Sequence, residues 1–110
     1  MNANGGRVVV RVLEDKQQAI VQACRRFGVA RMYVFGSALR DDFSPGTSDI
    51  DLLVEFSDMS PFELVDAYFD LLEELRGILG EPVDLVMADA VKNRYIAADI
   101  ERTKQLLYAA

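Results

Sequence analysis

Phe-Gly-Ser-Ala-Leu-Arg-Asp-Asp-Phe-Ser-Pro-Gly-Thr-Ser-Asp-Ile-Asp-Leu-Leu-Val-Glu-Phe, residues 35–56, is the stretch that decides the fold of this chain. An apolar strand ends at Gly36-Ser37, a polar loop rich in turn-forming residues follows, and a second strand opens with Asp49-Ile50-Asp51. The stretch therefore predicts two strands joined by a loop, with polar side chains gathered where each strand meets the loop.

Asp49 and Asp51 are the strongest candidates for a chemical role. Side chains two apart on a strand leave the same face, so both carboxylates point to one place while Ile50 turns into the core. Carboxylates this close repel each other, and a hard divalent cation relieves the repulsion. Because Mg²⁺ usually takes one or two carboxylates together with substrate phosphates, this pair predicts a magnesium and nucleotide site.

Gly36 and Ser37 supply the second half of the predicted site. A glycine lets the backbone turn sharply and approach a phosphate closely, and the neighbouring serine can donate its hydroxyl and its N–H to phosphate oxygens. If residues from Leu39 onward form a helical turn, its first amides add to this anion site. Gly-Ser alone is only a turn, and Asp-x-Asp alone can simply face water, so the prediction depends on their spacing.

The two pairs, eleven residues apart and followed by the apolar run 52–54, resemble the signature of the DNA polymerase beta-like nucleotidyltransferases. The size and flanking sequence are most similar to the minimal nucleotidyltransferases, the MNT or MntA-type antitoxins paired with HEPN toxins. The resemblance spans roughly residues 29–109. It implies a third aspartate on a later strand, which Asp84 matches, and it includes Arg40 as a phosphate contact, although Ala38 and Leu39 stand where many members carry Arg or Lys.

The resemblance also implies an activity and its partners. Two Mg²⁺ ions would be held by the three aspartates, with ATP as the substrate and Asp84 taking the proton of the attacking hydroxyl. The acceptor would be a tyrosine hydroxyl on a HEPN-domain toxin with which the chain forms a hetero-oligomer.

Composition limits the alternatives. The chain has 110 residues, 51% of them hydrophobic, which suits one domain spanning residues 1–110. Its net charge of -6 argues against binding a long nucleic acid, because such proteins concentrate Lys and Arg. One cysteine and no histidine exclude an internal disulfide, the usual zinc sites and Ser-His or Cys-His nucleophile pairs. Catalysis would have to use carboxylates and metal.

The segments outside residues 35–56 give predictions for location and secondary structure. No apolar run approaches the ~20 residues that span a bilayer, and no signal sequence is evident, so we expect a cytoplasmic protein with no membrane contact. Residues 1–6 are expected to be flexible. Residues 7–13 fit either a strand or the start of a helix. The remaining predictions are helices at 14–27, 61–78 and 90–108 and strands at 31–35, from 49 onward and at 82–87.

These elements predict an α/β domain whose sheet is backed by helices, but not its strand order. The resemblance implies the α+β type with a short mixed sheet, and the pattern of elements is compatible with it. The apolar residues of helix 61–78 cover a wide arc, which suits either packing on two sides or a surface that binds a partner. Two other functions stay open beside protein modification. One is a non-catalytic antitoxin that covers its HEPN partner, and the other is a nucleotidyltransferase acting on a small molecule.

Overall fold

The computed structural model describes residues 11–39 and 49–110 of the chain. Residues 11–15 are helical and lead directly into the first numbered helix. The numbered elements are α1 (Gln17–Arg26), β1 (Val29–Phe35), β2 (Ile50–Phe56), α2 (Pro61–Leu79), β3 (Val83–Met87), α3 (Arg94–Thr103) and β4 (Gln105–Ala109), with 3₁₀ turns at Gly36–Leu39 and Ala88–Ala90. The predicted flexible segment 1–6, the undecided residues 7–10 and Arg40 lie outside the described ranges.

The four strands form one mixed sheet in the order β3-β2-β1-β4. β1 runs antiparallel to both of its neighbours, while β2 and β3 are parallel. A parallel pair needs a long crossover, and α2 provides it by connecting β2 to β3. The predicted class, a small α+β domain with helices against a mixed sheet, is confirmed.

One face of the sheet is buried beneath α1 and α2. Alternate residues of the two central strands form the core, among them Met32 and Val34 of β1 and Leu52 and Val54 of β2. The helices contribute residues at helical spacing: Ile20, Ala23 and Cys24 from α1, and Leu71, Leu75 and Leu79 from α2. Because strand side chains alternate, the intervening residues, including Asp51, lie on the opposite face, which we call the open face.

Cys24 is fully buried in this core, as its place on the apolar side of the first predicted helix suggested. Its Sγ lies 3.9 Å from the Sδ of Met32. Burial raises the pKa of the thiol to about 12, because ionisation would place an unsolvated charge among apolar side chains. The thiol is therefore protonated at neutral pH.

α2 begins at the predicted position, residue 61, with a complete capping box. The Ser60 side chain accepts a hydrogen bond from the Glu63 N–H (3.2 Å), and the Glu63 carboxylate accepts one from the Ser60 N–H (2.9 Å). Pro61 occupies the first helical position. The bond from the Ser60 backbone lowers the pKa of Glu63, so the cap is intact at neutral pH and weakens as the pH falls through that pKa.

The predicted last helix is too long at both ends. It was expected at 90–108, but α3 begins only at Arg94, after Asn93 caps it, and ends at Thr103. Lys104 is extended, and Gln105–Ala109 pairs with β1 as β4. Leu, Gln and Ala are good helix formers, but the free edge of β1 satisfies the backbone hydrogen bonds of this segment and brings Tyr108 into the core.

Within the described ranges, no helix combines the length and the apolar character needed to cross a membrane.

We predict that Ser60→Ala lowers the free energy of unfolding at neutral pH by about 1 kcal/mol, because the first turn of α2 loses a side-chain acceptor. Urea denaturation followed by circular dichroism measures this change. Ser57→Ala is the matched control, since Ser57 is exposed and lies outside any helix. Equal stability of the two variants would contradict the capping role.

Candidate functional site

The three predicted aspartates lie at one end of the open face. Asp51 of β2 is the direct register partner of Asp84 of β3. Residues paired in a parallel register point to the same side, and adjacent strands are about 4.8 Å apart, so these two carboxylates are neighbours. Asp49 comes two residues before Asp51, and the period of two along a strand places it on the same face.

Solvent reaches this group of carboxylates. Asp49 and Asp84 are exposed, and Asp51 is partly buried. Within β3, Val83 and Leu85 face the core while Asp84 faces outward. Its position opposite Asp51 is what links Asp84 to the site.

Gly36 holds the end of β1 against Asp51. It follows Phe35, the antiparallel partner of Asp51, and its φ of 71° lies in the left-handed region that favours glycine. A Cβ added to Gly36 would stand 2.5 Å from the Oδ2 of Asp51. Only a residue without a side chain therefore lets the Gly36–Leu39 turn lie beside this carboxylate.

The donor set at this end of the sheet fits Mg²⁺. Its oxygens come from carboxylates, the ligands that hard cations prefer, and two of them belong to adjacent strands in register. Within residues 11–39 and 49–110, no three acidic or cysteine side chains converge closely enough to hold a metal ion by themselves. A magnesium ion here would depend on substrate oxygens as well, which is its usual mode of binding in nucleotide sites.

A cleft of about 570 Å³ opens beside Gly36. Its described lining residues are Gly36 and Leu39 of the 3₁₀ turn, Asp99 and Thr103 of α3, and Gln105 of β4. The volume lies in the range of small-molecule binding sites. The cleft reaches the site at Gly36, while Asp49, Asp51 and Asp84 are not among its described lining residues.

Comparison with known proteins agrees with this geometry. The pattern of the nucleotidyltransferase domain matches residues 17–107, most of the chain. The chain belongs to this nucleotidyltransferase family. It is therefore an enzyme of the nucleotidyl-transferring type, and the resemblance to minimal nucleotidyltransferases is confirmed.

A relative and two solved structures are similar to this nucleotidyltransferase over most of its length. "Putative protein adenylyltransferase MJ0128" of Methanocaldococcus jannaschii is 37% identical over 76% of this chain and 79% of its own. A structure described as a putative minimal nucleotidyltransferase is 28% identical with a TM-score of 0.71, over 86% of this chain and 92% of its own. The fold also matches a chain in the structure of a Shewanella oneidensis complex of an MNT antitoxin with a tri-AMPylated HEPN toxin. This match has 21% identity and a TM-score of 0.60, and it covers 89% of this chain and 73% of the other.

The structure says less about two of the predicted site residues, Ser37 and Arg40. Ser37 belongs to the 3₁₀ turn that follows β1, next to Gly36. Arg40 lies outside the described residues, so its role as a phosphate contact stays a prediction. Asp51, Asp84 and Gly36 are the predicted residues that the sheet pairing brings together, and Asp49 directly precedes β2 at the same end.

The sequence of this nucleotidyltransferase did not predict that Asp99, Thr103 and Gln105 form one wall of the cleft. One available signal was Thr103, a weak helix former at the last residue of α3, whose hydroxyl donates to the Asp99 carbonyl (2.8 Å). Continuing the helix to residue 108 removes Gln105 from the sheet and therefore from the place beside Gly36.

Two ion pairs were also not predicted. Arg31 forms an ion pair with Glu55 (2.6 Å), while the Nζ of Lys104 lies 4.1 Å from the centre of the Tyr33 ring and bonds to Glu101 (2.7 Å). The bond to Glu101 raises the pKa of Lys104, so its charge is retained well above neutral pH. Each of these two cations is therefore balanced by a glutamate.

We predict that Gly36→Ala lowers the free energy of unfolding by more than the strain of a left-handed backbone alone, because the new Cβ would displace the Asp51 carboxylate. The matched control is Gly80→Ala, since Gly80 also has a positive φ (64°) but has no atom within 4 Å of an added Cβ. Both variants should lose about 1–2 kcal/mol in urea denaturation from the left-handed backbone.

Only Gly36→Ala should show a further loss of stability together with loss of nucleotidyl transfer, measured with α-labelled ATP. If both variants behave alike in stability and in transfer, the close contact between Gly36 and Asp51 has no functional importance.

Proposed function

We propose that this nucleotidyltransferase transfers AMP from ATP to a tyrosine hydroxyl of a HEPN-domain toxin and thereby neutralises the toxin. The observation that carries the proposal is the register pairing of Asp51 with Asp84, with Gly36 packed against Asp51. The protein acceptor is favoured by the printed name of the Methanocaldococcus relative, and the HEPN toxin by the Shewanella complex.

In this proposal the Gly36–Leu39 turn binds the triphosphate. Gly36 allows the phosphates to approach the backbone, and Ser37 and the backbone N–H groups of the turn donate to phosphate oxygens. The nucleoside occupies the cleft of about 570 Å³ beside this turn. Arg40, which follows the turn in sequence, adds a positive charge for the phosphates.

Asp49, Asp51 and Asp84 would hold Mg²⁺, with two ions as the resemblance implies. When bound, magnesium neutralises the negative charge that the carboxylates and the triphosphate bring together. Asp49 and Asp51, two apart on one face, fix the position of the triphosphate relative to the turn at Gly36.

Asp84 would act as the general base. The tyrosine oxygen forms a bond to the α-phosphorus, the bond from that phosphorus to the oxygen bridging to the β-phosphorus breaks, and pyrophosphate leaves with the electron pair. Asp84 takes the hydroxyl proton, which suits its exposed position at the mouth of the site because the acceptor must arrive from solvent. The proton then passes to water.

We predict that Asp84→Asn lowers kcat by about 10²–10⁴-fold, the usual contribution of a general base. Asp51→Asn should abolish detectable transfer, because it removes a carboxylate from the metal and phosphate site. Transfer is measured with Mg-ATP and the purified HEPN protein as a gain of AMP mass on the acceptor. Chelation by EDTA should stop the reaction and added Mg²⁺ should restore it.

Asp58→Asn is the matched control, since Asp58 is exposed in the loop after β2, outside the carboxylate end of the sheet. If the wild type transfers AMP and neither Asp84→Asn nor Asp51→Asn lowers the rate of transfer, the assignment of these two residues is wrong. Full protection of cells from the toxin by an Asp49→Asn, Asp51→Asn double variant would instead indicate neutralisation by steric covering.

A further inference from the structure

Helix α2 presents an uncovered apolar stripe to solvent. Phe62, Val65 and Phe69, spaced by three and four residues, are 87%, 54% and 61% exposed. This spacing puts the three side chains on one side of the helix, which we call the α2 stripe. The core residues Leu71 and Leu75 lie on the other side, so the wide apolar arc of this helix serves two surfaces.

Such a stripe marks a binding surface. Three large apolar side chains side by side form a patch that soluble proteins usually reserve for interaction. Aromatic residues are also the side chains that most often supply the binding energy at protein interfaces. Phe69 is held in place by an edge-to-face contact with Tyr68 (5.1 Å between ring centres), whose hydroxyl donates to the Leu85 carbonyl (2.6 Å).

Charge determines what can cover the stripe. The exposed carboxylates Asp66, Asp70 and Glu73 border it along one side. A complementary partner must therefore present apolar side chains next to Lys or Arg. A second copy of this chain fits poorly, because a two-fold interface would bring the same acidic border against itself, and the chain already carries a net charge of -6.

The position of α2 separates binding from chemistry. The helix packs on the core face of the sheet, whereas Asp51 and Asp84 lie on the open face. β3 is an edge strand, and Tyr68 ties α2 to it. A protein seated on the α2 stripe can therefore extend around the β3 edge and bring a side chain to Asp84.

We propose that the α2 stripe is the docking surface for the protein that receives the nucleotide, and that this protein binds it through apolar side chains bordered by Lys and Arg. The proposal rests on the proposed function only in naming the docked protein as the acceptor. Phe62 and Phe69 anchor the complex, and the acidic border of α2 selects a basic partner.

The test compares Phe69→Lys with Tyr95→Lys, a matched control in which an aromatic residue that is 80% exposed at the start of α3 is changed in the same way. Binding of the purified HEPN protein is measured by calorimetry. Phe69→Lys should weaken binding by about 30-fold or more, the effect of losing an interface anchor, while Tyr95→Lys stays within about threefold of the wild type. Asp70→Lys should weaken binding and reduce its dependence on salt concentration.

Transfer kinetics give a second readout. Phe69→Lys should raise the KM for the acceptor protein and leave kcat at saturating acceptor near the wild-type value, since the carboxylates are untouched. Asp51→Asn should show the reverse pattern, with normal binding and no transfer.

Several outcomes would overturn the docking surface: no binding of the HEPN protein by the wild type, wild-type affinity in Phe69→Lys, or equal weakening by Tyr95→Lys. Light scattering that shows a wild-type dimer dissociated by Phe69→Lys would assign the stripe to a second copy and also overturn it. If Phe69→Lys abolishes binding while the wild type transfers no AMP, the docking surface stands and the proposed function fails.

Discussion

The parallel pairing of β2 with β3 is the constraint on which the rest of the site depends. Its register sets Asp51 opposite Asp84, and the same register puts Leu52 and Leu85 into the core on the other face. Because β1 also fixes β2, a slip of β3 by one residue would move Asp84 toward the core and Leu85 toward water. The apolar residues that stabilise the sheet thus also fix which side chains meet at its acidic end.

Gly36 adds the second constraint, this time from β1. The close approach of its backbone to Asp51 places the Gly36–Leu39 turn directly beside this carboxylate. Residues of α3 and β4, the last two elements of the chain, form the wall of the cleft beside Gly36. Three segments that are distant in sequence therefore contribute to one end of the sheet.

Much of this was predictable because the signals were local. The capping box at Ser60, the Gly-Ser turn and the period of two from Asp49 to Asp51 each depend on residues close in sequence, and the family resemblance added Asp84. β4 was not predictable in this way. Its residues have good helix propensity, and the strand forms only because β1 offers an unpaired edge, which is a non-local interaction. Because β4 was predicted as helix, the wall of the cleft was not predicted either. The exposure of Asp84 depends on the register of β3 against β2, which is also a non-local interaction.

The burial of Cys24 has a practical consequence for spectroscopy. It is the only cysteine in the chain, it has no exposed surface, and its thiol remains protonated at neutral pH. A fluorescent or spin label could thus be attached to one cysteine introduced on an outer helix position, with the native thiol left in place. The protein offers a background free of competing reactive sulfur for distance measurements on its complexes.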